Sequence, residues 1–136
     1  MKFTTKGKYA LRMMIDIARH GEQGPVTIKE VSDRQDVSVK YLEQIITPLN
    51  KAGFVESVRG AHGGYMLIVE PKDLTAGQII RTVETSVKYT DELDTDLPEG
   101  EPAEGRVDTS AFWQGLYDRM NDYLDSITLE DLAKEV

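Results

Sequence analysis

A chain of 136 residues with 40% hydrophobic content has room for one domain and a modest core, and no more. The formal net charge of −8 is unevenly spread: residues 1–86 hold 12 Lys and Arg against 10 Asp and Glu, and residues 87–136 hold 4 against 14. The cysteine count is zero, which excludes disulfides, thiol redox switches and any metal held by this chain's own thiolates.

In chain order, the first helix runs from Thr4 or Thr5 to His20. Its apolar residues (Tyr9, Leu11, Met13, Met14, Ile15, Ile17 and Ala18) are too many for one narrow stripe, so it is expected to be buried on two sides. Met13 and Met14 read as core filling in preference to a small-molecule pocket. Lys2, Lys6, Lys8 and Arg12 precede any acid; they suit either a phosphate clamp or a solvated helix face. After a loop over residues 21–25, Thr27 and Glu30 have capping-box spacing and open a short helix to about Arg34, with Ile28 and Val31 inward. Gln35, Asp36 and Val37 form a turn, and Ser38 suits the N-cap of the next helix.

In that helix Leu42, Ile45, Ile46 and Leu49 recur at i, i+3, i+4 and i+7, one buried face. Lys40, Tyr41, Glu43, Gln44 and Thr47 fall off it, and all five can reach base edges or phosphates. Gly53 ends the helix. Residues 54–58 and 65–69 are rich in β-branched and aromatic side chains and read as two strands. Between them lies Arg59-Gly60-Ala61-His62-Gly63-Gly64, whose glycines permit close approach of the backbone to phosphate. Two short helices with a tight turn, then a ribbon, make the expected fold mainly α with a small β-hairpin wing: a winged helix-turn-helix. The bland alternative is a helical hairpin with a ribbon packed beside it, and winged folds also serve protein contacts.

Further on, Thr75 and Gln78 form a second capping box before a helix carrying Ile79, Ile80 and Val83. From residue 86 to 108 periodicity vanishes, and the acidic stretch with two prolines and two glycines reads as a mobile loop. Its oxygen spacing does not match a calcium loop. The last long helix begins near Thr109 and Ser110. Trp113, Leu116, Met120, Tyr123 and Ile127 are spaced 3, 4, 3 and 4, a seam for a two-fold partner helix. Phe112, Tyr117 and Leu124 form a second stripe, expected to pack on the first helix; the alternative buries both stripes within one subunit. Residues 128–132 start a short terminal helix. The expected division is 1–86 for DNA binding, 87–108 for the acidic loop and 109–136 for dimerisation.

Lys6-Gly7-Lys8-Tyr9, Tyr41-Leu42-Glu43-Gln44 and Arg59-Gly60-Ala61-His62-Gly63-Gly64-Tyr65, in this order and spacing, resemble the Rrf-type winged-helix regulators of bacteria. The resemblance covers residues 1 to about 84 and resumes from 111 to 132. It implies a homodimer on an imperfect palindrome, with Glu43 selecting bases and Arg59 entering the minor groove. The base-contact set is then Lys40, Glu43, Gln44 and Arg59. The backbone set is Lys2, Thr5, Lys6, Lys8, Ser38, Tyr41, Gly60, His62, Gly63 and Gly64. Cluster-binding members of the family carry three cysteines in the loop, and this chain carries none. The resemblance therefore leans to the cluster-less, cysteine-metabolism repressor branch. That branch implies a regulatory protein partner, cysteine synthase being the example.

No cofactor or metal is expected, because His20 and His62 lack partners at ligand spacing. Neither has a nucleophile in a readable motif, and the glycines lie in a hairpin instead of a strand–helix turn, so no enzyme is expected. A winged domain used only as a protein adaptor is the rival reading. With charge at residue 2 and no apolar run near ~20 residues, the chain is expected in the cytoplasm without membrane contact.

Overall fold

The computed structural model describes residues 4–84, 105 and 107–134. Six helices and one hairpin follow in order: α1 (Thr5–His20), α2 (Ile28–Gln35), α3 (Val39–Lys51), β1 (Val55–Val58), β2 (Gly64–Leu67), α4 (Ala76–Val83), α5 (Ser110–Ser126) and α6 (Leu129–Lys134). The starts of the first four helices are set by local chemistry. Hydroxyls of Thr4, Thr27, Ser38 and Thr75 each accept a backbone N–H of the first turn, satisfying a donor that has no partner inside the helix. Thr75 and Gln78 complete the reciprocal capping box. At Thr27 the Glu30 carboxylate accepts from the hydroxyl instead, at 3.1 Å.

α1 is the centre of the molecule and packs against α2, α3, α4 and α6. Its Ala10, Met13, Met14 and Ile17 are buried together with Val31, Leu42, Ile45, Leu49, Val55, Ile79 and Leu129. Both methionines are core filling. β1 and β2 pair antiparallel, with Val55 opposite Leu67 and Val58 opposite Gly64. Val26 adds a third short rung: its N–H donates to the Tyr65 carbonyl at 2.9 Å, and its carbonyl accepts from Tyr65 at 2.7 Å.

The C-terminal helices depart from the sequence expectation in three ways. α5 packs chiefly on α4; of α1, only Leu11 joins the small Ile80–Leu124 cluster. Within the expected inner stripe Tyr117 and Leu124 are buried, but Phe112 is 66% exposed and stacks edge-on against Trp113. Ile127 is not on the helix at all. Helix α5 stops at Ser126, and Ile127 turns extended because its carbonyl accepts from Ala76 N–H at 2.8 Å, beside a bridge between Thr75 and Thr128. Heptad spacing continued the seam through it; cross-chain pairing ended the helix. Arg81 fastens α4 to α5 by bonding Asp125 at 2.6 Å and Asn121 at 2.7 Å. The expected acidic loop lies outside the described residues except for Gly105, Val107 and Asp108. Among the described residues no helix is long and apolar enough to cross a membrane.

Candidate nucleic-acid interface

The turn between α2 and α3 is fixed from beneath by a buried acid. Asp16 of α1 is 2% exposed, and Arg34 bonds both its oxygens at 2.9 and 2.7 Å while Gln35 donates to it at 2.9 Å. Burial alone would push the Asp16 carboxyl up; the Arg34 and Gln35 hydrogen bonds and the Arg34 charge outweigh it and hold the group below its usual value. Asp36 then takes a left-handed conformation, φ 55°, tolerable for Asp, and its N–H caps Ser32. The chain reverses there and α3 begins at once.

Leu42, Ile45, Ile46 and Leu49 anchor α3 in the core. The opposite face presents Lys40, Glu43, Gln44 and Thr47, all exposed. The Thr47 hydroxyl donates back to the Glu43 carbonyl at 2.9 Å. Ser38 accepts the Tyr41 N–H at 3.1 Å, which leaves its own hydroxyl hydrogen for an outside acceptor. Tyr41 stands differently from its neighbours. It is half-buried, its ring meets Tyr9 edge-on at 5.5 Å, and its hydroxyl and that of Thr5 are 3.0 Å apart. Two sequence-predicted site residues, Thr5 and Tyr41, are thus brought together across α1 and α3. Arg12 lies over the Tyr9 ring at 5.2 Å and bonds Gln35 through side chain and carbonyl. Lys6 and Lys8 are exposed on the first turns of α1, and Lys2 lies outside the described residues.

At the wing tip Arg59, Gly60 and His62 are exposed. Gly60 has φ 112° with open space around it, a conformation that a side chain would strain. Gly63 and Gly64 have reasons inside the hairpin. A Cβ on Gly63 would meet the Val58 carbonyl at 2.2 Å, and the Gly63 N–H already donates to the Gly60 carbonyl at 3.0 Å. A Cβ on Gly64 would meet the Val26 carbonyl at 2.6 Å. The tight turn and the third rung require these two glycines before any phosphate does.

Trp113, Leu116 and Tyr123 are exposed along α5, with Met120 half-buried. Of these, Met120 and Tyr123 line a cleft of about 580 Å³ between α1, α4 and α5, together with Lys8, Leu11, Ile80 and Leu124. Sequence reasoning missed two acids, Asp16 and Glu84, which are the buried charged residues among those described. Asp16 did leave a signal: it interrupts the apolar run from Met13 to Ile17.

The chain matches the Rrf2 family, described as iron-dependent transcriptional regulators, over residues 3–135. It is 41% identical to the HTH-type transcriptional regulator CymR of Bacillus subtilis (strain 168) over 133 residues, 98% of this chain and 90% of the relative. It is also 41% identical to the HTH-type transcriptional regulator IscR of Aliivibrio salmonicida (strain LFI1238), over 97% of this chain and 77% of that one. The solved structure of CymR (YrzC), the global cysteine regulator of B. subtilis, superposes with a TM-score of 0.83, covering 98% of this chain and 96% of that one. Iron in the family description calls for a donor set. Here there is no cysteine, His20 ends α1, His62 sits at the wing tip, and among the described residues no three His, Asp or Glu could hold a metal. These residues do not fit a thiolate-held iron–sulfur cluster.

Proposed function

The chain belongs to the Rrf2 family of transcriptional regulators, and on that premise we propose that it is a homodimeric repressor that reads a palindromic operator without an iron–sulfur cluster. The family is a DNA-binding, non-enzymatic one. The observation that carries the reading is the exposed row Lys40, Glu43 and Gln44 on a helix whose other face is locked in the core, with Arg59 free at the wing tip. Glu43 accepts from cytosine N4, Gln44 pairs with adenine, and Lys40 donates to guanine. Arg59 enters the adjacent minor groove. Ser38, Tyr41, Thr5, Lys2, Lys6, Lys8 and His62 hold phosphates. Gly60, Gly63 and Gly64 keep side chains out of the way.

The dimer reading is supported by the exposed apolar α5 face of Trp113, Leu116 and Tyr123. A symmetric partner helix covers it, and two copies of α3 then meet half-sites about 34 Å apart. With no thiolate on the chain, control falls to a partner protein, or to a small ligand that alters the spacing of the two reading helices. Such a regulator works in the cytoplasm.

Purified protein selecting from randomised duplex DNA, followed by gel shifts at two salt concentrations, tests this. A palindrome should be enriched, and Arg59→Ala should weaken its binding by about 1–3 kcal/mol. No enriched sequence, together with a stoichiometric enzyme complex, would replace operator reading with an adaptor role.

A further inference from the structure

One buried acid has no part in that reading. Glu84 follows α4 and is 3% exposed. Its Oε1 accepts from both the backbone N–H and the hydroxyl of Thr4, the residue that caps α1. Its Oε2 is buried with no hydrogen-bond partner among the described residues. That oxygen lies over Gly7, where a Cβ would stand 2.6 Å away, so glycine at residue 7 leaves the carboxylate its present place. An orphaned carboxylate oxygen in an apolar setting is unfavourable, and packing alone would be better met by an apolar side chain. What the acid does gain is the first turn of α1, where its Oε1 takes the Thr4 N–H and hydroxyl that cap the helix.

From that turn the contacts lead to the reading helix. Thr5 follows Thr4, and its hydroxyl meets the Tyr41 hydroxyl. One turn on, Tyr9 packs on Tyr41; Arg12 covers Tyr9 and bonds Gln35, the last residue of α2. The opening turns of α1 are thus gripped by the end of α4 on one side and by the helix-turn-helix on the other.

We infer that Glu84 is a positioning residue for DNA recognition: by holding Thr4 it seats α1 against Tyr41 and Gln35 and so sets how α3 is presented. The inference rests on α3 being the DNA-reading helix. The test uses the duplex that wild-type protein enriches from randomised DNA as the probe. Glu84→Ala, Glu84→Gln and Tyr41→Phe are assayed at a temperature where circular dichroism shows each folded. Glu84→Ala should bind about tenfold more weakly. Glu84→Gln keeps one acceptor oxygen for Thr4 and should stay within about twofold of wild type. In the Tyr41→Phe background the Glu84→Ala loss should shrink to less than half, because both changes cut one connection. A role confined to stability would move the melting temperature and leave the affinity of folded protein alone. If Glu84→Ala does not fold, Thr4→Val removes one donor and takes its place in the cycle. Wild-type affinity in Glu84→Ala, an undiminished loss beside Tyr41→Phe, or a Glu84→Gln protein as weak as Glu84→Ala would overturn the inference while leaving DNA recognition intact. A wild-type protein that enriches no sequence would overturn the DNA-reading role of α3 and the inference with it.

Discussion

Asp16 shows how much one side chain can decide. It is an acid with its side chain fully inside, and Arg34 and Gln35 supply the donors that make burial tolerable. Removing it leaves the Arg34 guanidinium, one-third exposed, with only the Glu30 carboxylate at 3.6 Å and loosens the end of α2. Asp16→Ala is expected to cost roughly 2–3 kcal/mol by thermal or urea unfolding. The pH dependence follows from the direction of the shift. The folded carboxyl titrates below the ordinary 3.8, so its stabilisation is complete above that value and is lost as pH falls through the lower folded value. Asp16→Asn should therefore flatten the acid limb of the stability curve; an unchanged limb would show that other carboxylates govern it. Glu43 is the opposite kind of residue, exposed and free of tertiary bonds in its side chain. Glu43→Ala should leave stability within ±0.5 kcal/mol, as for surface changes generally, and should relax base preference in DNA selection more than it lowers overall affinity.

At the scale of elements, α5 is the helix whose surroundings are incomplete. Tyr117 and Leu124 face inward, while Trp113, Leu116 and Tyr123 face out. Replacing Leu116 and Met120 by Asp would put charge into the proposed dimer contact, so sedimentation should show monomer and the gel shift should fail. An intact dimer would move the interface elsewhere. The helices were legible in the sequence because their starts are local: Ser38 and Thr75 reach only three residues ahead. The hairpin was legible for the same reason, Gly60 and Gly63 being demanded by a turn a few residues long, whereas Gly64 answers to Val26 across the third rung. Long-range pairing was hidden. Nothing in the spacing of α5 says that Ile127 will bond Ala76, or that Glu84 will find Thr4 eighty residues back. Nor does it separate Phe112 from Tyr117, since exposure at the start of α5 depends on where α4 ends. The exposed row of α3 followed from its buried period, but the half-burial of Tyr41 needed Tyr9 in space.

For the whole molecule, a net charge of −8 would repel DNA if it were uniform. Lys6, Lys8 and Arg59 stand exposed at the start of α1 and the wing tip, within the near-neutral residues 1–86. If Lys8 holds a phosphate as proposed, its contact releases counterions, and Lys8→Ala should reduce the slope of log affinity against log salt by about 1. Without cysteine the purified protein should be colourless and bind its operator equally under oxidising and reducing conditions; visible absorbance with stoichiometric iron would overturn the cluster-free proposal. The pairing that ends α5 reaches further still. Leu129 is fully buried in the same core as α1 and α3, and its N–H donates to the Leu74 carbonyl at 2.7 Å. On the ribosome, the wing and the reading helix emerge long before the residue that closes the core beneath them. A nascent chain halted at residue 126 lacks that plug and leaves Leu74 and Ala76 without their backbone partners. The protein is therefore expected to mature only after synthesis has passed α6, and pulse proteolysis of stalled chains should find protection appearing in one late step.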